Sequence, residues 1–516
     1  MPISSQPRPR QQARRKAYHQ RMSDARLSTR GFLKRFGGSL MVVGCSAASI
    51  AFTPFVSAQE PGEVELPELG DTTSGIVSIS EERRIGEALL RQVRRQVPTV
   101  NDPILKYFAE VSLYRITEFA DLPDANLFPV LIDSSELNAF AAPGGIVGIN
   151  LGLLLDAQDV HEFSGVLAHE LAHLSQRHFA RGLEARRASM FRDVAAFVAA
   201  LVVAATAGGD AGLAALGGAQ TVSAAGAMRY SRSLEGEADR VAINTMHKAG
   251  LDPMGLSRMF ERMQQRYRFR RTPPAYLLSH PLSEERIADT KQQAARYPQL
   301  EYSDSRSYQM MRARALVRYA ESPQAAVDYW QSEVEAGEQP HIARYGLAYA
   351  LASNDKAAHG LDTLRPMQNA FDDSLLFAAS KAELMIEAGE IDQALSFLQR
   401  QLILNPDNAP LSMLRAQALT AGERFAEATE VLKRQSVLHP EDYDVWFELA
   451  ETAGLADDIM QVHTARAEFF ALTGDFESSL QQLEFAASLA NPAQFELVSG
   501  LSQRIRDLRG ALTASR

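Results

Sequence analysis

Apolar residues recur every three to four positions through Ile85, Ala88, Leu89 and Val93, the spacing that lines one side of a helix. Ser80 precedes that stripe, with Glu81 and Glu82 after it, and reads as the cap whose hydroxyl accepts from free first-turn N–H groups. Asp102-Pro103 announces a second helix, running to about Phe119, because proline at the first turn loses no hydrogen bond. The helical period then stops. Residues 127–132 read as a strand, and residues 138–150 as two extended segments around Pro143-Gly144-Gly145. From Asp159 the helical period returns through Phe163, Val166, Leu167, Leu171 and Leu174 to about Arg181, which predicts one continuous helix. Residues 194–207 are almost wholly apolar, but Gly208-Gly209-Asp210 stops them short of a bilayer span. They suit a buried helix or a hairpin that leans on a membrane or gates substrate.

Beyond residue 305 the pattern repeats. Ala326, Gly360, Ala394 and Ala428 lie 34 residues apart, Val327, Leu361 and Leu395 keep the same step, and so do Pro406 and Pro440. Gly389 and Gly422 mark a similar turn one residue out of step. Small residues at fixed packing positions let paired helices approach closely, and this helix-turn-helix period resembles tetratricopeptide repeats. The register slips after Glu451 and returns weakly at Gly474-Asp475-Phe476, and residues 491–509 read as a closing helix.

The chain has 516 residues and 46% hydrophobic content, enough for two or three packed domains. Its beginning is different. Residues 8–35 are basic, residues 37–55 are uncharged and largely apolar, and Val56-Ser57-Ala58 follows, the order of a secretory signal cleaved after Ala58. Translation starts at Met1 or at Met22. A rival, lipidation of Cys45 in Val42-Val43-Gly44-Cys45, is disfavoured by the short apolar run before it. Cys45 is the single cysteine, so a chain cleaved after Ala58 forms no disulfide. Removing residues 1–58 takes away ten of the 53 bases and one of the 63 acids, leaving a formal charge of −19. So acidic a body argues against nucleic acid as the partner.

His169-Glu170-Leu171-Ala172-His173 carries the chemistry. Residues four apart share a helix face, so two imidazoles converge on one ion with Glu170 beside it. One zinc ion per chain is the expected cofactor, and Glu170 the expected general base, catching a proton from water activated at the metal. A third ligand must come from elsewhere. Gln176 and Phe179 stand where the metzincin pattern requires glycine and histidine, which excludes that class.

Downstream, Glu235-Gly236-Glu237-Ala238-Asp239 resembles the third-ligand motif of the HtpX-like and CAAX-prenyl-type metallopeptidases, which are gluzincins. The resemblance implies Glu235 as the ligand and Asp239 as a residue that orients a ligating histidine. Glu237 competes, but two residues along a helix turn it about 200° away, toward solvent if Glu235 faces the metal. Arg177-His178, the segment from Asn138 to Gly145, and the segment from Ser279 to Arg286 extend the similarity.

The family resemblance implies a supporting role for His178, and an extended substrate laid along Asn138, Ala139, Phe140 and Ala141, whose edge offers main-chain groups without demanding a side chain. It implies catalytic roles for His280 and Arg286, with His280 also able to reach the fourth metal position and act as a latch. It also implies a periplasmic endopeptidase and chaperone of a Gram-negative bacterium, acting on unfolded or misassembled outer-membrane proteins. Its implied partners are the β-barrel assembly machine and the lipopolysaccharide-export barrel, with peripheral membrane contact. The alternative function is a repeat-based scaffold or chaperone with latent peptidase activity.

The predicted fold is α+β and mostly helical: a signal peptide over residues 1–58, a linker over 59–79, a zincin-like metallopeptidase domain with a small sheet over 80–304, and an α-solenoid of tetratricopeptide-like repeats over 305–516. The repeat arm offers a concave surface and no catalytic cluster, so it is expected to serve recruitment rather than chemistry.

Overall fold

In the computed structural model, Ser78 rather than Ser80 caps the first helix: its side chain accepts from the Glu81 amide, and α1 spans Ile79–Gln96. The buried face is Gly86, Leu89, Leu90 and Val93, so the stripe is rotated from the one the spacing suggested and Ala88 is exposed. The structure describes residues 78–184, 232–269, 273–298, 301–302, 305–371, 374–491 and 495–514. The signal segment with Cys45 and Ala58 lies outside the described residues, as does the apolar stretch 194–207. No helix among the described residues is long and apolar enough to cross a membrane.

Helix α2 (Pro103–Thr117) is capped by Asp102, whose carboxylate accepts from the amides of Ile104 and Leu105. Strands β1 (Phe128–Ile132), β2 (Ala139–Ala142) and β3 (Ile146–Asn150) form a sheet in the order β1-β3-β2, parallel between β1 and β3 and antiparallel between β2 and β3. A short α3 (Gly152–Asp156) leads into α4 (Val160–Ser175). The helix predicted as continuous to Arg181 breaks at Arg177, whose φ of 49° is left-handed, and restarts as α5 (His178–Glu184). The Arg177 guanidinium donates to Glu82 of α1 at 3.1 Å, a tertiary bond that the local pattern does not announce.

After residue 231 come α6 (Arg232–Lys248), α7 (Met254–Tyr267), α8 (Ala275–Ser279) and α9 (Glu284–Ala294). Helix α4 packs between α6 and α7. The crossing with α7 is close because a Cβ on Gly165 would stand 2.9 Å from the Leu256 backbone, inside contact distance.

The repeat helices follow in pairs: α10 (Arg306–Arg318) with α11 (Pro323–Ala336), α12 (Pro340–Ser353) with α13 (Ala357–Leu364), α14 (Leu375–Glu387) with α15 (Ile391–Leu404), and α16 (Ala409–Ala421) with α17 (Phe425–Leu438). Then come α18 (Tyr443–Leu455), α19 (Ile459–Leu472), α20 (Phe476–Leu489) and α21 (Phe495–Ala514). Ala326, Gly360, Ala394 and Ala428 are all buried at the same turn of the second helix in each pair. The register does not slip after Glu451. Helix α19 starts one full repeat after α17, and Val462 occupies the small-residue position, which hides the repeat from the sequence pattern. In the turns α12–α13, α14–α15, α16–α17 and α18–α19 the left-handed residues are Asp355, Gly389, Glu423 and Asp457, in constant step, so Glu423 rather than Gly422 is the counterpart of Gly389.

One hydrophobic core runs from Val100 to Ala418 without a break at residue 304. Phe108 of α2 and Phe163 of α4 lie 5.8 Å apart, and Tyr308 of α10 lies 6.2 and 5.6 Å from them. Tyr308 also donates to the Ala157 carbonyl at 3.0 Å. Farther along the repeats, Lys106 of α2 donates to Asp442 at 2.7 Å and Asp444 at 3.0 Å, at the start of α18.

Candidate active site

Every residue of α4 from Val160 to His173 is buried, so the metal-binding pattern sits inside a helix walled in on all sides. Asp159 caps that helix through the amides of His161 and Glu162. Helix α6 brings Glu235 and Asp239 against it, and the residue that ends α8 is His280. One donor atom from each of His169, His173, Glu235 and His280 lies within 4.8 Å of the other three. The Nε2 atoms of His169 and His173 are 3.0 Å apart, and His280 Nδ1 is 3.3 Å from His169 and 3.2 Å from Glu235.

Three imidazoles and a carboxylate, all drawn from water, make a nitrogen-rich donor set of the kind zinc takes. The electrostatics agree. Burial, together with the charges of His169 and His280, holds His173 well below the ordinary imidazole range, leaving the neutral ring that ligation uses. Burial alone would raise Glu235, but His280 and His169 overcome it and hold the carboxyl well down. Burial would likewise lower His169, yet hydrogen bonds with Asp239 and Glu235 raise it to about 9. The two carboxylates together favour a positive charge at this point.

Asp239 Oδ1 lies 2.9 Å from His169 Nδ1 and fixes the ring's second nitrogen. Arg286 grips the same carboxylate at 2.7 and 2.8 Å and reaches Glu235 at 2.8 Å. The break at Arg177 matters here. In an unbroken helix His178 would point about 140° away from His173, whereas the left-handed residue turns it back so that the two Nδ1 atoms lie 2.8 Å apart. Burial lowers His178 to about 4 against the pull of Glu237, so it supports His173 as a neutral ring. Glu237 turns away from the metal cluster and stays partly exposed to solvent, while lying 3.4 Å from His178 and 3.2 Å from Arg181.

Glu170 is buried, which raises its carboxyl above the ordinary range, with the charges of His280 and His169 opposing. Its Oε2 accepts from the Ala141 amide at 3.0 Å, and its Oε1 is 3.5 Å from His280 Nε2. Ala141 belongs to the edge strand β2. Asn150 donates to the Asn138 carbonyl at 3.0 Å, so the antiparallel alternation turns the main chain of Ala139 and Ala141 outward, toward Glu170. The Phe140 side chain packs into the core over Gly148, and by the same alternation its main chain faces β3 rather than that edge. The Asn138 side chain is buried at the start of the strand.

Residues 110–294 match the model of Peptidase family M48, and residues 385–450 match that of the tetratricopeptide repeat. The putative beta-barrel assembly-enhancing protease of Vibrio cholerae is 32% identical over 86% of this chain and 92% of its own length. The beta-barrel assembly-enhancing protease of Escherichia coli is 28% identical over 82% of this chain and 87% of its own length. This chain belongs to the β-barrel assembly-enhancing protease family. As a member of that family it is a zinc-dependent metalloendopeptidase, an M48 peptidase region followed by helical repeats. One residue of this family member's site escaped the sequence reading. Tyr276 is fully buried with its ring 4.8 Å from that of His280, and its only advance signal was its position one helical turn before that histidine.

Proposed function

We propose that this protein is a periplasmic endopeptidase and chaperone of a Gram-negative bacterium that cleaves outer-membrane β-barrel proteins which fail to assemble. In this reading its clients are unfolded or misassembled barrels, and its partners are the β-barrel assembly machine and the lipopolysaccharide-export barrel. His169, His173 and Glu235 hold zinc, Asp239, Arg286 and His178 keep those ligands in place, and Glu170 is the general base. Zinc held there supplies Lewis acidity, which acidifies water and polarises the scissile carbonyl.

The observation that carries the reading is the hydrogen bond between Glu170 and the Ala141 amide, which joins the base to a strand edge that pairs with no other strand among the described residues. A client laid along β2 pairs with the outward main chain of Ala139 and Ala141. Claiming that amide frees Glu170, which then takes a proton from water and hands it to the leaving amine. Engagement of the edge and release of the base are thereby one event.

A second reading has its own support. His280 lies 3.2 Å from Glu235 and 3.3 Å from His169 in the resting chain, so it fills the fourth ligand position and keeps the peptidase latent while the repeats serve as a scaffold. The test is digestion of an unfolded barrel protein by the wild type and by Glu170→Gln, with zinc measured in both. Loss of hydrolysis with zinc retained is expected, and equal turnover by the variant would refute the assigned base.

A further inference from the structure

Tyr276 has a hydroxyl buried to zero exposure that makes no hydrogen bond to any described residue. Buried hydroxyls are normally paired, because desolvating one without a partner opposes folding. A phenylalanine would fill the same space without that cost. The hydroxyl is therefore not there for packing.

Its position is well held. Pro274 precedes α8 and Pro281 follows His280, the His280 amide donates to the Tyr276 carbonyl at 2.8 Å, and Arg286 donates to the Pro281 carbonyl at 3.1 Å. The Tyr276 ring lies against that of His280, with centroids 4.8 Å apart and planes tilted by 33°. After burial itself, the charges that bear most on its hydroxyl are those of Glu170, Arg286, Glu235 and Asp239, the charged groups of the active site. The ring itself belongs to the hydrophobic core.

We infer that Tyr276 is a catalytic residue whose hydroxyl is reserved for the substrate, donating a hydrogen bond to the scissile carbonyl oxygen as that oxygen becomes negative. The inference rests on the peptidase reading of this site and adds a donor to it. In the step, the oxygen of water adds to the carbonyl carbon, the carbonyl π pair moves onto its oxygen, and the released proton goes to Glu170. Tyr276 keeps its own proton, as a phenol with an ordinary pKa of about 10 does at neutral pH. The carbon–nitrogen bond then breaks as Glu170 returns the proton to the nitrogen. A preorganised donor aimed at a developing oxyanion strengthens in the transition state, so its removal lowers kcat rather than raising KM.

The experiment is Tyr276→Phe in the full chain, read by steady-state kinetics on an unfolded barrel protein, by zinc content, and by the melting temperature of the metal-stripped protein. The inference expects kcat to fall about a hundredfold, with KM and zinc unchanged and the metal-stripped variant melting no lower than the wild type. Wild-type kcat overturns it. A lower melting temperature of the metal-stripped variant also overturns it, because the hydroxyl would then be structural. So does a rise in basal turnover, which would make Tyr276 a prop for His280. Glu170→Gln run alongside separates the two levels: an inactive Glu170→Gln beside a fully active Tyr276→Phe defeats this inference alone, while an active Glu170→Gln defeats the peptidase reading beneath it.

Discussion

A chain cut after Tyr302 removes every repeat helix and keeps α1 to α9, and the structure bears directly on whether the remainder folds. Tyr308 leaves, and with it the ring that closes Phe108 and Phe163 against water at 6.2 and 5.6 Å. Also lost are the bond from Tyr308 to the Ala157 carbonyl and the 2.5 Å bond from Arg314 to Asp102, the residue that caps α2. Exposing a buried aromatic ring costs about 1.5–3 kcal/mol. Two rings therefore cost about 3–6 kcal/mol before any hydrogen bond is counted, against a total stability of about 5–15 kcal/mol for an ordinary domain.

The fragment is expected to be insoluble, or to melt at least about 6 °C below the full chain, taking about 2 °C per kcal/mol for a domain of this size. Circular dichroism melts of residues 71–302 and of residues 71–516, with zinc content measured in each, make the comparison. A fragment that melts with the full chain, retains zinc and hydrolyses an unfolded client would refute the reasoning. It would show that the interface adds nothing and that the repeats serve recruitment alone, as the sequence pattern suggested.

Two substitutions probe the site itself. Asp239→Asn removes the charge that holds His169 at 2.9 Å and Arg286 at 2.7 Å; zinc affinity should fall about 10- to 100-fold, measured by competition with a chelator, and unchanged affinity would deny Asp239 its orienting role. His280→Ala should raise basal proteolysis, including self-cleavage, and leave zinc bound; a large fall in activity with zinc retained would instead make His280 a donor to the reacting carbonyl.

What the sequence determined by itself is what short-range geometry encodes. His169 and His173 share a face because four residues make about one turn, and Asp102-Pro103 starts α2 because capping and a fixed φ act within one turn. The repeats were legible in Ala326, Gly360, Ala394 and Ala428, since each repeat packs in the same way on its neighbour.

Tertiary structure decided what depends on partners distant in the chain. Arg177 takes a left-handed conformation beside Glu82 and so turns His178 onto His173, although the local pattern runs straight through as helix. Glu237 finds His178 and Arg181, where helical spacing alone pointed it to water. The hydroxyl of Tyr276 finds no partner among the described residues and lies under the charges of α4, α6 and α9, a fact with no trace in its neighbours along the chain. The boundary at residue 304 looked like a seam because the 34-residue repeat begins just beyond it. The core crosses it because α2 buries apolar residues on more than one side, among them Leu105, Phe108 and Leu113, and Lys106 meets Asp442 and Asp444 from far along the chain.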